Sequence, residues 1–136
     1  MHKVFVFGTL KEGFPNFSKN NGVRHGGDYV TKECFPLYLV GERYSPWLVL
    51  APGTHPVIGQ VFSVSDEALE LMDRLERVHE ADGYQRVRIT VICVESGAEE
   101  AVFVYGKSPD LLRHDEIQME LAGEYLLEHA ALYRPR

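Results

Sequence analysis

The sequence predicts an α+β domain built on a mainly antiparallel, mixed, barrel-like sheet with a few helices. Three observations predict it. About six or seven short apolar or alternating segments follow one another, separated by turn residues. One stretch, Ser65 to His79, keeps the three- and four-residue apolar spacing of an amphipathic helix. Ser96-Gly97-Ala98 reads as a hairpin turn, so the strands on either side run antiparallel. Strands joined by short turns, with the helices set apart from them, indicate α+β rather than an alternating parallel fold.

Lys3 to Phe7 is a continuous apolar run, suited to a strand buried on both faces. It ends in the loop Gly8-Thr9-Leu10-Lys11-Glu12-Gly13. Residues 17 to 27 are polar and turn-rich, with a short helix near 15 to 22. Strands are expected over Asp28–Cys34, Pro36–Gly41, Pro46–Leu50 and Val57–Val64. Gly59, inside the last of these, marks a bulge or a close backbone approach. The helix Ser65–His79 follows, capped by Ser65 or Asp66, with Asp66 and Glu67 in the first turn where the dipole favours negative charge. Tyr84 to Val94 is a long strand, and Glu100 to Tyr105 returns beside it. Ile117, Leu121, Tyr125 and Leu126 predict a second helix over Asp115–Ala130, weakened by Gly123. The tail Tyr133–Arg136 is expected to be extended.

At 136 residues the chain is long enough for one domain, 1–136, with its own core. Its 14 Lys and Arg against 20 Asp and Glu give a formal charge of −6, with no basic cluster. That balance argues against nucleic acid and against an anionic membrane as partner. Cys34 and Cys93 stand far apart and form no CxxC motif, so they read as reduced core thiols of a cytoplasmic protein. No apolar run is long enough to span a bilayer. Nothing demands a dimer, and the oligomeric state is unknown.

The common catalytic signatures fail on spacing. Gly106-Lys107-Ser108 lacks the earlier glycine of a phosphate-binding loop, since position 101 is Ala. Glu95-Ser96-Gly97 lacks the glycine two before the serine of a nucleophile elbow. The six histidines are scattered and neither cysteine neighbours another, so no metal is expected.

What remains is a small constellation. Glu76 lies four residues after Met72 and seven after Leu69, at the edge of the apolar stripe. A carboxylate facing a core needs a reason to be there and should carry a shifted pKa; otherwise it snorkels out or pairs with an arginine. Successive backbone N–H groups at Gly8, Thr9 and Leu10 make either an anion-binding nest or a plain strand-to-turn junction. Tyr84 and Arg86 follow the helix.

Val4-Phe5-Val6-Phe7-Gly8-Thr9-Leu10-Lys11, then Leu71-Met72-Asp73-Arg74-Leu75-Glu76, then Tyr84-x-Arg86, resemble the signature of the gamma-glutamyl cyclotransferase-like superfamily. Tyr44-Ser45-Pro46-Trp47-Leu48 and the ending Tyr133-Arg134-Pro135-Arg136 look most like its gamma-glutamylamine cyclotransferase branch. Phe7 stands where the superfamily usually has Tyr. The segment 110–132 is richer in helix formers than the branch.

The resemblance implies a reaction on a small γ-glutamyl substrate, with no cofactor. The substrate's α-amine attacks its own γ-amide carbonyl, closing 5-oxoproline and expelling the amine. Glu76 would be the general base and acid. Phe7, Gly8, Thr9 and Leu10 would bind the glutamyl end, with Tyr84, Arg86 and Tyr105. Tyr84 and Arg86 either orient that end or support the loop, and Tyr105 either lines the pocket or is an ordinary strand-end tyrosine. Trp47 would shape the leaving-group side. Other readings are removal of a γ-glutamyl group from a different acceptor, and a catalytically idle binder of a small acidic metabolite.

Overall fold

The fold follows from strands that bury both faces. In chain order the elements are β1 (His2–Val6), β2 (Val23–Cys34), β3 (Leu37–Val40), β4 (Ser45–Leu48), β5 (Pro56–Val64), α1 (Asp66–Leu75), β6 (Gln85–Cys93), β7 (Glu99–Gly106), β8 (Ile117–Glu120) and α2 (Leu127–Ala130). They are drawn from a computed structural model that describes residues 1–135. The order β1-β5-β2-β6-β7 closes into a barrel. Its neighbours pair antiparallel except β7 and β1, which close it in parallel. A smaller antiparallel sheet, β4-β3-β8, packs beside it.

Alternation along β1 and β5 sorts their side chains into two cores. Phe5, Val57 and Val61 point into the barrel, with Tyr29, Val91, Val102 and Val104; Leu37, Leu39, Leu48, Leu121 and Tyr125 extend this core under the small sheet. Val4, Val6, Phe62 and Val64 point outward and are covered by Ala68, Leu69 and Met72 of α1. Truncating Met72 to Ala would cost about 2–5 kcal/mol by opening that seam. Gly59 marks the close approach its position in a strand suggests: a Cβ there would lie 2.4 Å from the carbonyl oxygen of Val6. Among the described residues, no helix is long and apolar enough to cross a membrane.

Four expectations are corrected. The helix expected over Asp115–Ala130 is not formed: Ile117–Glu120 is strand β8, paired with β3, and only Leu127–Ala130 is helical. Leu121 and Tyr125 are apolar at helical spacing, yet both are buried from a segment that turns at Gly123, φ +89°. The helix Ser65–His79 stops at Leu75, because Glu76 caps it and Arg77 turns left-handed at φ +56°. Strand β2 starts at Val23 rather than Asp28, with a register shift between Arg24 and Asp28 that absorbs the glycines read as a turn. Cys34 and Cys93 are free thiols but only half-buried, not core.

The short helix near 15–22 is a single 3-10 turn, Phe17–Lys19. In the tail, Tyr133–Pro135 has no regular structure and is tied back by Arg134 N–H donating to Arg43 O at 3.0 Å. Arg136 lies outside the described residues.

Candidate active site

Parallel closure of the barrel places the C-terminal ends of β1 and β7 side by side. The Gly8–Leu10 loop leaves one, and Tyr105 and Lys107 sit on or just beyond the other. The C-terminus of α1, whose apolar face covers the outward residues of β1 and β5, reaches the same place. A cleft of about 880 Å³ opens there. Its walls include Phe7, Gly8, Thr9 and Leu10 from the loop, Glu76 and Arg77 from the helix end, and Tyr84, Tyr105 and Lys107. Pro46 and Trp47 of β4 and Tyr133 and Pro135 of the tail complete its rim.

Glu76 is fixed by its backbone. Its N–H donates to Met72 O at 2.9 Å, and its carbonyl accepts from Tyr84 N–H at 3.0 Å. Glu76 is half-buried at the helix terminus and lines the cleft. In the loop, Lys11 N–H donates to Gly8 O at 3.1 Å and Asn16 N–H to Thr9 O at 2.8 Å. The Asn16 amide also donates to the Thr9 hydroxyl at 2.9 Å. These bonds hold the loop by its oxygens. The Thr9 and Leu10 N–H groups donate to no other described residue.

Tyr84 donates its hydroxyl to Pro46 O at 2.9 Å, which pins the segment after α1 to β4. Arg86 does not line the cleft; it pairs with Asp73 at 3.0 Å and lies over the ring of Phe103. These contacts join β6 to α1 and β7.

Residues 4–127 match the model of the family described as Gamma-glutamyl cyclotransferase, AIG2-like. The chain belongs to this family. It is 37% identical over 101 residues to the Gamma-glutamylaminecyclotransferase of Mus musculus, an alignment covering 70% of this chain and 66% of that protein. That span is just under two thirds of the mouse relative's length. It is 32% identical to the Gamma-glutamylaminecyclotransferase of Homo sapiens, over 100% of this chain and 98% of that one. The crystal structure of an AIG2-like protein from Mus musculus superposes with a TM-score of 0.85 at 31% identity, covering 100% of this chain and 97% of that chain. The closed mixed barrel with few helices is thus the fold of a gamma-glutamyl cyclotransferase-like protein. An uncharacterized protein from Pyrococcus horikoshii, 21% identical with a TM-score of 0.65 over 91% of this chain and 89% of that one, shares the fold.

Two residues of this gamma-glutamyl cyclotransferase-like chain, Lys107 in the cleft wall and Asp73 behind Tyr105, carry no obvious mark in the sequence. Asp73 reads as part of the polar stripe of α1, yet its side chain is only 15% exposed. It accepts from Tyr105 Oη at 2.6 Å and from Arg86 Nη1 at 3.0 Å. Lys107 is buried, with Nζ donating to Asp82 O at 2.6 Å. The same Nζ lies 4.6 Å from the ring of Trp47 and 4.4 Å from that of Tyr84. Two ring faces help to stabilise a charge removed from water.

Tyr105 is 4% exposed, and its hydroxyl is held protonated well above the usual tyrosine range. Burial is the main cause; the bond to Asp73 and that carboxylate's charge add to it, and Glu76 contributes in the same direction. Arg86 opposes the shift. Phe7, in place of a tyrosine, brings no second phenol to the cleft; it is buried and packs into the barrel core.

Proposed function

We propose that this protein is a γ-glutamylamine cyclotransferase, which closes the glutamyl part of a small substrate into 5-oxoproline and releases the attached amine. The observation that carries the reading is that the Gly8–Leu10 loop and Glu76, far apart in sequence, line one cleft in a chain similar to proteins so named.

The chemistry suits what the cleft offers. Nucleophile and electrophile belong to one molecule, so the protein's first task is to hold the folded conformer. The α-nitrogen starts as an ammonium and ends as a ring N–H, so it sheds two protons. The departing nitrogen starts as an amide N–H and leaves as an ammonium, so it gains two. One carboxyl that takes and returns a proton twice ends where it began, and Glu76 is the carboxyl assigned that role. The N–H groups of Thr9 and Leu10 bind the glutamyl α-carboxylate or the oxyanion of the tetrahedral intermediate. No bond changes oxidation state and no water is consumed, so the reaction balances without a cofactor.

Trp47, Tyr84 and Lys107 line one wall of the cleft, with Lys107 Nζ against both rings, and Trp47 is the residue assigned to the leaving-group side. The test is 5-oxoproline release from γ-glutamyl-ε-lysine, other γ-glutamylamines and γ-glutamyl-α-amino acids. Turnover is expected on the γ-glutamylamines. Absence of 5-oxoproline from all of them would overturn the reading.

A further inference from the structure

A tyrosine hydroxyl has one proton to give and lone pairs to receive. Tyr105 and Arg86 are cross-strand partners in the β6–β7 register, so their side chains leave the barrel on the same face. Asp73 of α1 meets both there. A carboxylate paired with a guanidinium can only accept, so the direction of the 2.6 Å bond is settled: Tyr105 donates to Asp73. Among the described residues, nothing else bonds to the Tyr105 hydroxyl. What this hydroxyl has left is acceptor capacity, and Tyr105 is one of the residues that line the cleft.

We infer that Asp73 is a positioning residue that commits the Tyr105 proton and makes Tyr105 a hydrogen-bond acceptor for the substrate's α-amine. The inference rests on the γ-glutamyl reading above. A tyrosine beside a carbonyl about to become an oxyanion would ordinarily be assigned as an oxyanion donor. Here that proton is spent, and its bond is charge-assisted and strong. A donor from the substrate is what the free lone pair can take, and the α-nitrogen is the one whose orientation decides ring closure. With one N–H held by Tyr105 and another facing Glu76, the nitrogen lone pair is left to approach the γ-carbonyl. Burial, Asp73 and Glu76 all keep the phenol protonated, so its role does not change across the working pH range.

The experiment uses a ligand pair that cannot cyclise. In the first, a sulfonyl group replaces the γ-carbonyl of a γ-glutamylamine; the second is the same compound without the α-amine. Dissociation constants are measured by calorimetry for the wild type, Tyr105→Phe and Asp73→Asn. Losing a hydrogen bond to a charged group predicts that Tyr105→Phe weakens the amine-bearing ligand by about 10- to 100-fold. The amine-free ligand should bind both proteins alike. Asp73→Asn should weaken the amine-bearing ligand selectively, by a smaller factor, because Tyr105 can then turn its proton elsewhere. If Asp73→Asn does not fold, Asp73→Glu, which keeps the acceptor, should bind both ligands with the wild-type preference. An equal loss for both ligands in Tyr105→Phe, or a fall in turnover with both constants unchanged, overturns the inference alone. A wild type that binds neither ligand overturns the γ-glutamyl reading as well.

Discussion

The hydroxyl of Tyr84 donates to the carbonyl oxygen of Pro46 at 2.9 Å, joining the segment that follows Glu76 to the strand that forms the opposite rim of the cleft. One bond therefore ties the spacing of the two walls to the end of α1. Tyr84→Phe should cost about 1 kcal/mol of stability, the usual net worth of one such bond. The ring under Lys107 Nζ remains in that variant, so KM should rise more than kcat falls. Thermal denaturation and steady-state kinetics on the same preparation check both. Unchanged stability and kinetics would mean that Pro46 is held by β-pairing alone.

Gly8 is needed for the room it leaves. A Cβ on it would lie 2.7 Å from Cγ of Pro46, closer than real Cβ contacts come. The obstacle is the proline ring of β4. Gly8→Val should fold, since β1 ends before it, but should displace the loop or the rim and lower kcat/KM severely. Thr9→Ser keeps the hydroxyl that accepts from Asn16 and should be tolerated. The kinetics of the two variants, with circular dichroism to confirm the fold, decide it. Near-normal turnover in Gly8→Val would remove the loop from the site.

Much of the barrel is legible in the sequence because its strands bury alternate residues on both faces. Val4-Phe5-Val6-Phe7 and Val57 to Val64 carry that pattern without help from elsewhere. Strand β8 is not legible. Its four residues are mostly exposed, and they are strand only because β3 offers an edge. Helical spacing at Ile117, Leu121 and Tyr125 cannot report a partner so distant in the chain. The end of α1 has a similar cause: its apolar period continues to Val78, but Val78 N–H donates to Asp73 O in a turn. At the cleft, the Gly8–Leu10 loop and Glu76 were marked by local pattern. The burial of Asp73 and Lys107 was not, because each is created by neighbours from other elements: Tyr105 and Arg86 for one, Trp47 and Tyr84 for the other.

Acid should weaken the fold through Glu100. Its carboxylate bonds to Lys3 Nζ and accepts from Tyr29 Oη at 2.8 Å. The hydrogen bond from Lys3 is the main cause that holds it below its ordinary value of 4.5, with burial opposing and Tyr29 assisting. A group depressed in the folded state stabilises it above the unfolded pKa, and that contribution fades as pH falls through the folded value. The thermal midpoint should therefore drop as pH falls below about 4.5, and Glu100→Gln should show a shallower drop. Parallel profiles for the two proteins would show that Glu100 plays no part in acid unfolding.

At the other end of the scale, Tyr29 is pushed up to about 12, first by burial and then by its bond to Glu100. A raised tyrosine contributes stability below the unfolded value of about 10 and loses it as pH rises toward the folded one. Tyr29→Phe should flatten the loss of stability between about pH 10 and 12. A thermal midpoint that falls equally steeply in the variant contradicts this.

The most direct test of the proposed mechanism is the rate of 5-oxoproline release by Glu76→Gln, measured beside Glu70→Gln and Glu80→Gln under saturating γ-glutamylamine. Gln keeps the volume and the backbone bonds that hold residue 76 to Met72 and Tyr84, so the variant should fold as the wild type does. It cannot carry the proton. Loss of a general acid–base group predicts a fall in kcat of about 10²- to 10⁴-fold, with the two controls close to wild type. A Glu76→Gln protein that turns over at near the wild-type rate would contradict the mechanism.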